Sequence, residues 1–362
     1  MNNTAYLLAL HSIDGLGPIR LRALLNYFKD PKLAWEAKAE ELLNIGIFKS
    51  IVDRLVESRK NLDPENYASK ISASGISWTT IFNEDYPKLL KEIYDPPVVL
   101  YYKGELEPAR RRSLAVVGTR KITGYGKIVT EQFTKGLSSA GLTIVSGLAR
   151  GVDTQAHLAV LSENGKTIAV LGGGLNNIFP PENIGLAAKI AEGFGAVVSE
   201  FPPDYMPFPG NFPARNRIIA GLSLGVLVIE AAEDSGSLIT ARAALEQGRE
   251  VFAVPGPVTS SLSKGPVDLI KEGAVAVFSP EEVLEELGIN RIKNQKSAVK
   301  EEKSLSDEER KVLDVLENEE RHIDEIGRQL NFPSSKISAL LLKMEISGLV
   351  SSIGAGIYCK KS

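Results

Sequence analysis

At 362 residues the chain is long enough for two or three domains, and an apolar fraction of 43% allows sizeable cores. A formal charge of −3 excludes nucleic-acid binding through overall basicity, so an anionic partner must be met by local patches. One cysteine, Cys359, excludes an intramolecular disulfide framework and a cysteine zinc cluster.

Residues 1–72 have a helical pattern. Leu7, Leu8, Leu10 and Ile13, then Leu21, Leu24, Leu25 and Phe28, recur at spacings of three and four. The run Ala5–Leu10 is too short for a secretory h-region and lacks a basic flank, and no segment approaches the ~20 apolar residues of a membrane span. The expectation is a soluble cytoplasmic protein. Between the helices, Gly15-Leu16-Gly17-Pro18 makes a tight turn. It reads equally as a helix-hairpin-helix turn that holds a DNA phosphate, in a SAM-like domain, or as a plain turn.

From 73 to 288 the pattern alternates. Strands are expected at Ile76–Phe82, Val98–Tyr102, Leu114–Val117, Thr143–Val145, Thr167–Leu171, Ala196–Val198, Val226–Ile229, Val251–Val254 and near 273–278. Helices fall between them, including Gly126–Ala140, Val152–Ser162 and a stretch near 183–193. Apolar strands alternating with amphipathic helices predict a doubly wound parallel α/β sheet. Residues 289–304 are lysine-rich and read as a linker. Residues 305–362 give three helices, Asp307–Asn318, Ile323–Gln329 and Ser334–Ser347, and a glycine-turned hairpin, which is the winged-helix pattern. This unit holds more acidic than basic residues, so a protein contact fits it at least as well as duplex DNA.

Ligands of a parallel sheet sit at the carboxyl ends of its strands, where helix N-termini present free N–H groups. The first strand of the alternating series ends in Gly118-Thr119-Arg120, followed by Thr123. Gly118 lets a backbone approach an anion, Arg120 offers a fork of donors, and Thr123 donates or caps. The second strand leads into Gly147 and Arg150; Arg150 reads as an anion contact or an ion pair with equal weight. Gly172 and Gly173 follow the third strand, as a ligand approach or a sharp turn. No dinucleotide fingerprint or acidic ribose partner is present.

Two arginines, Arg215 and Arg217, stand beside Asn216 in a helix that Pro213 is expected to open. Two residues apart is about 200° on a helix, so they face different ways. Arg215 is the favoured ligand contact, and Arg217 is expected to pair with a carboxylate such as Glu230. Ser235-Gly236-Ser237 opens the next helix, and Lys264 precedes Gly265-Pro266-Val267. Catalytic and metal readings are weaker. The three histidines are His11, His157 and His322, and Asp153 with His157 lacks a third ligand, so Asp153 reads as a helix cap. Glu200 and Glu230 end strands and read as capping or arginine-pairing groups.

In order along the chain, Val117–Arg120, Thr123–Gly126, Ser146–Asp153, Ala156-His157, Thr167–Gly172, Phe212-Pro213, Arg215–Ile219, Ser235–Ala241 and Val254–Gly256 resemble the DNA-processing protein A (DprA/Smf) family. The match begins at Tyr86-Pro87 and runs to about 275. The resemblance implies an extended Rossmann-like domain, single-stranded DNA binding without catalysis or cofactor, a homodimer, and loading of RecA recombinase onto DNA in natural transformation. It places Gly118, Thr119, Arg120, Thr123, Gly147, Arg150, Gly172, Gly173, Arg215, Asn216, Arg217, Ser235, Gly236, Ser237 and Lys264 at the DNA. Three departures stand out: Thr119 for the family's serine, Gly265-Pro266-Val267 for glycine-threonine-asparagine, and no basic residue in Tyr205–Asn211. The 212–256 block also resembles Rossmann-like nucleoside-monophosphate phosphoribohydrolases. Their early catalytic glutamate is absent here, where Glu246 comes late in the helix.

Overall fold

A computed structural model describes residues 3–289, 306–317, 319–346, 349–354 and 356–360. The stretch expected to be a linker lies almost wholly outside them. The chain divides into two compact units, Met1–Ile292 and Lys293–Ser362.

The first unit opens with six helices: α1 (Thr4–His11), α2 (Pro18–Phe28), α3 (Pro31–Glu36), α4 (Ala39–Asn44), α5 (Lys49–Asn61) and α6 (Pro64–Ala73). Proline in the first turn starts α2, α3 and α6, and Asp30 and Asp63 cap α3 and α6 through their side chains. Then come β1 (Ser77–Thr80), α7 (Lys88–Lys91), β2 (Val99–Gly104), β3 (Ser113–Val117), α8 (Gly124–Ser139), β4 (Thr143–Ser146), α9 (Val152–Ser162), β5 (Thr167–Val170), α10 (Ile184–Lys189) and β6 (Gly195–Ser199). The unit finishes with α11 (Asn211–Gly221), β7 (Gly225–Val228), α12 (Gly236–Glu246), β8 (Glu250–Ala253), α13 (Lys264–Lys271), β9 (Val275–Ala276) and α14 (Pro280–Glu286).

The nine strands form one sheet in the order β1-β2-β6-β5-β4-β3-β7-β8-β9. From β6 to β9 all neighbours are parallel, and β1 and β2 add antiparallel pairs at one edge. The chain winds outward from β3 to β6, returns, and winds the other way from β7. The sheet is therefore doubly wound, with its switch point between β3 and β7.

Side-chain alternation divides the core. Ala115 and Val117 of β3, with Val226 and Val228 of β7, pack against Ile218 and Ile219 of α11 and Ala241 of α12. Leu114, Val116 and Leu227 point the other way, onto Phe133 of α8, Val160 of α9 and Leu284 of α14. The N-terminal helices share a third apolar cluster with the sheet: Leu7, Leu10 and Leu24 pack with Val99 and Tyr101 of β2 and Val197 of β6. The change of pattern near residue 73 is thus bridged by a continuous core.

The second unit contains α15 (Asp307–Val315), β10 (Arg321–His322), α16 (Ile323–Leu330), α17 (Ser334–Ile346), β11 (Val350–Gly354) and β12 (Ile357–Lys360). Ser306 and Glu309 form a reciprocal capping box at α15. The hairpin gains a third strand, in the order β10-β12-β11, and Val312, Ile326, Ile337 and Leu341 fill a separate core.

Candidate nucleic-acid interface

At the switch point a cleft of about 640 Å³ opens beyond the ends of β3 and β7. Gly118 makes the junction possible. A Cβ there would lie 2.6 Å from the Val152 side chain and 2.9 Å from the Glu230 carbonyl. The Thr119 N–H donates to that carbonyl at 2.6 Å, and the Thr119 carbonyl accepts from Val152 N–H at 3.1 Å. This backbone stitching turns the next two residues, Arg120 and Lys121, outward at the cleft wall, where both are exposed.

Arg120 has no carboxylate partner among the described residues. Its guanidinium sits 5.6 Å from the ring centre of Phe212, which in turn lies 5.7 Å from the ring of Phe179. A cation with open hydrogen-bonding capacity thus stands beside two aromatic faces. The start of α12 also lines the cleft; there the Ser235 side chain accepts from Ser237 N–H, and Asn216 Nδ2 donates to the Gly236 carbonyl at 3.1 Å. The carboxylates lining the cleft among the described residues are Asp153 and Asp234.

Arg215 lies under the cleft and is 4% exposed. The helix begins at Asn211, two residues before the expected start, so Arg215 is not in its first turn. Pro213 occupies the third position, where its missing N–H costs nothing. The Arg215 guanidinium donates to the carbonyls of Gly147, at 2.7 Å, and Val170, joining the ends of β4 and β5. Burial lowers its pKa to about 10, against the pull of Asp153, and leaves it charged at neutral pH. Asp153 accepts from the N–H groups of Gly147 and Ala149, so it holds the loop before α9 in place of capping the helix, whose N-cap is Gly151. Burial raises the Asp153 carboxyl pKa, opposed by Arg215 and these amides.

Arg217 turns away from the cleft. It pairs with Asp95 at 3.0 Å and with Glu200, both outside the cleft. The expected partner, Glu230, instead accepts from the Thr123 N–H at 3.1 Å and the Thr123 hydroxyl at 2.6 Å, and Gly126 leaves room for its carboxylate. Thr123 and Glu230 therefore fasten α8 to the end of β7, and neither lines the cleft. The missed partner was unreadable from sequence because Glu200 ends β6, four strands away from β7 across the sheet.

The remaining expected residues divide in the same way. Gly118, Thr119, Arg120, Arg215, Asn216, Ser235, Gly236 and Ser237 line the cleft. Arg150 and Gly147 line a small recess continuous with it through Arg120, Phe212 and Arg215. Arg150 carries an exposed pair to Glu182, of the weak surface kind. Gly172 and Gly173 are packing glycines: a Cβ would meet Phe212 at 2.9 Å and Pro207 at 3.0 Å. Lys264 pairs with Glu233 and does not line the cleft. Lys121, Phe179, Ile239 and Thr240 join the cleft without having been singled out. Lys121 was adjacent to a named arginine; Phe179 had no local signal. Among the described residues no group of three or more metal-ligating side chains converges, and no helix is long and apolar enough to cross a membrane.

A doubly wound sheet with a cationic, aromatic-walled cleft at its switch point defines a Rossmann-like protein suited to a phosphate-bearing ligand. Residues 77–288 match the family described as DNA recombination-mediator protein A, and 296–356 match the DprA winged helix domain. The chain belongs to the DNA recombination-mediator protein A family. It is 44% identical over 283 residues to the protein Smf of Escherichia coli (strain K12), covering 76% of this chain and 75% of that one. With the Smf protein of Synechocystis sp. it shares 36% identity across 96% of both chains. Among solved structures, DNA processing protein A from Streptococcus pneumoniae aligns with a TM-score of 0.69 at 39% identity, covering 79% of this chain and 99% of that one. The Helicobacter pylori protein, whose structure concerns its single-stranded DNA binding mode, aligns at 0.53 with 32% identity, over 58% of this chain and 95% of that one.

Proposed function

We propose that this chain binds single-stranded DNA in the switch-point cleft, protects it, and as a homodimer passes it to RecA recombinase during natural transformation. The observation that carries this reading is Arg120, exposed, without a carboxylate partner among the described residues and set against Phe212. A single strand offers a phosphate for the guanidinium and an unpaired base for the ring, and a duplex keeps its bases stacked on one another. Lys121 adds a second exposed cation at the same wall. The Helicobacter pylori relative, studied for single-stranded DNA binding, supports the ligand, and the family description as a recombination mediator supports the handover.

The role is non-enzymatic and cytoplasmic and uses no cofactor. Glu230, the strand-end acid that a hydrolase would deploy, is occupied by Thr123. Two clefts in a dimer lengthen the DNA track and raise avidity. The test is titration of matched single- and double-stranded oligonucleotides with the whole chain and with Arg120→Ala. Single-strand preference that the substitution erodes is expected. Equal affinity for duplex refutes the reading.

A further inference from the structure

The cleft has two levels. The rim carries Arg120, Lys121, Phe179 and Phe212. The floor is a group of small polar side chains around the first turn of α12. Most are accounted for: the Ser235 and Ser237 hydroxyls lie 2.8 Å apart, and Asn216 is held by Gly236 and Arg215. Thr240 is not. It is 1% exposed, lines the cleft one turn beyond Gly236, and among the described residues its hydroxyl has no hydrogen-bond partner. A hydroxyl that lines the cleft without a protein partner is free to donate to a ligand oxygen.

We infer that this floor holds the terminal phosphomonoester of a nucleotide, an inference resting on the strand-binding role proposed for the cleft. The α12 helix runs eleven residues, so its N-terminus brings an aligned dipole. Among the described residues the Gly236 N–H there has no partner, while Ser237 N–H is capped by Ser235 and Leu238 N–H bonds the Ser235 carbonyl. A phosphomonoester brings about −1.5 to −2 charges and three acceptor oxygens. An internal diester has one charge and two free oxygens. The monoester therefore gains more from a site that offers the Thr240 and Ser237 hydroxyls and the Gly236 amide together. Ile219 and Ile239 give the base or sugar an apolar wall. The 640 Å³ volume falls within the roughly 300–1,000 Å³ range of small-molecule pockets, the scale of one or two nucleotides. Asp234 opposes an anion here, but it is exposed and screened by water, and Asp153 is engaged by loop amides.

The same chemistry comes from a phosphorylated strand end or a free mononucleotide. The full chain is titrated with one oligothymidylate carrying hydroxyl ends, a 5′-phosphate or a 3′-phosphate. Thymidine and thymidine 5′-monophosphate are titrated directly by calorimetry and as competitors. At least one phosphorylated strand is expected to bind threefold or more tighter than the hydroxyl-ended one, with Thr240→Val bringing the ratio to one. Displacement by the monophosphate but not by thymidine adds the free nucleotide as a source; a strand-end preference without displacement assigns the floor to strand ends. Three equal strands with no monophosphate binding overturn the inference, as does a preference that survives both Thr240→Val and Ser237→Ala. In the first of these outcomes the strand-binding role still stands. Monophosphate binding without any strand binding keeps the floor site and removes that role.

Discussion

The guanidinium of Arg215 fills the space in front of Gly147 where a side chain would stand. A Cβ on Gly147 would lie 2.6 Å from its Cζ, while Nη1 donates to the Gly147 carbonyl at 2.7 Å. The glycine after β4 is thus required by an arginine 68 residues later, which supports the cleft from beneath.

Gly147→Ala is expected to cost about 1–3 kcal/mol of stability, the usual size of overpacking. Urea unfolding measures it. A double-mutant cycle with Arg215→Met should show coupling above about 0.5 kcal/mol, since the two groups touch. Additive effects would mean that the arginine moves aside freely.

Arg120 and Arg217 are expected to separate cleanly. Arg120→Ala should weaken single-stranded DNA binding by about 1–3 kcal/mol with an unchanged melting temperature, because among the described residues the exposed side chain has no carboxylate to abandon. Arg217→Ala leaves Glu200, 8% exposed, without its main partner and should cost about 3–5 kcal/mol of stability. Binding titrations paired with thermal melts check both; an Arg120 variant that melts early reverses its assignment.

His157 is expected to make the fold acid-sensitive. It is fully buried, and its Nδ1 lies 2.8 Å from the Thr167 hydroxyl, which itself donates to the Ile144 carbonyl. Thr167 therefore accepts from Nδ1–H, and the ring is neutral. Burial, reinforced by the charge of Arg215, lowers its pKa from 6.5 to about 3. The unfolded chain takes up the proton first, so stability is lost as pH falls from about 6.5 toward 3. Between pH 7.5 and 5.5 the wild type should lose about 1.4 kcal/mol more than His157→Gln. Parallel losses in the two proteins, read from urea midpoints, would show that the ring does not carry the effect.

The alternation of the sheet was legible because a strand buried on both faces, such as Leu114–Val117, needs apolar residues at every position. Strand-end glycines were legible too, yet their purpose was not: Gly118, Gly147, Gly172 and Gly173 serve packing against residues that only the folded chain brings near. The carboxylate that meets Arg217 was misread for the same reason. Pairing across a doubly wound sheet depends on strand order, and a sequence shows β6 and β7 as neighbours when four strands' width separates them. The antiparallel β2 gave the same apolar signal as the parallel strands, because pairing direction leaves little mark on a short run.

Truncation after Gly288 is expected to leave a folded core that binds single-stranded DNA within about tenfold of the whole chain, or ~1.4 kcal/mol. The cleft lies wholly in the first unit, and the winged helix has its own apolar core around Val312, Ile326 and Leu341. Its lysines Lys336 and Lys343 are paired with Glu308 and Glu309. A hundredfold loss, restored only when the winged helix is returned, would make that unit a principal DNA site.

The central claim is that phosphates of a single strand are captured by cations at the switch-point cleft. Its most direct measurement is the affinity of the whole chain for matched single- and double-stranded oligonucleotides across a salt series. Preference for the single strand is predicted, with log affinity falling linearly in log salt at about −0.7 per phosphate neutralised. Arg120→Ala should reduce that slope by one phosphate's worth. Affinity indifferent to salt, or equal for both forms, would contradict the claim.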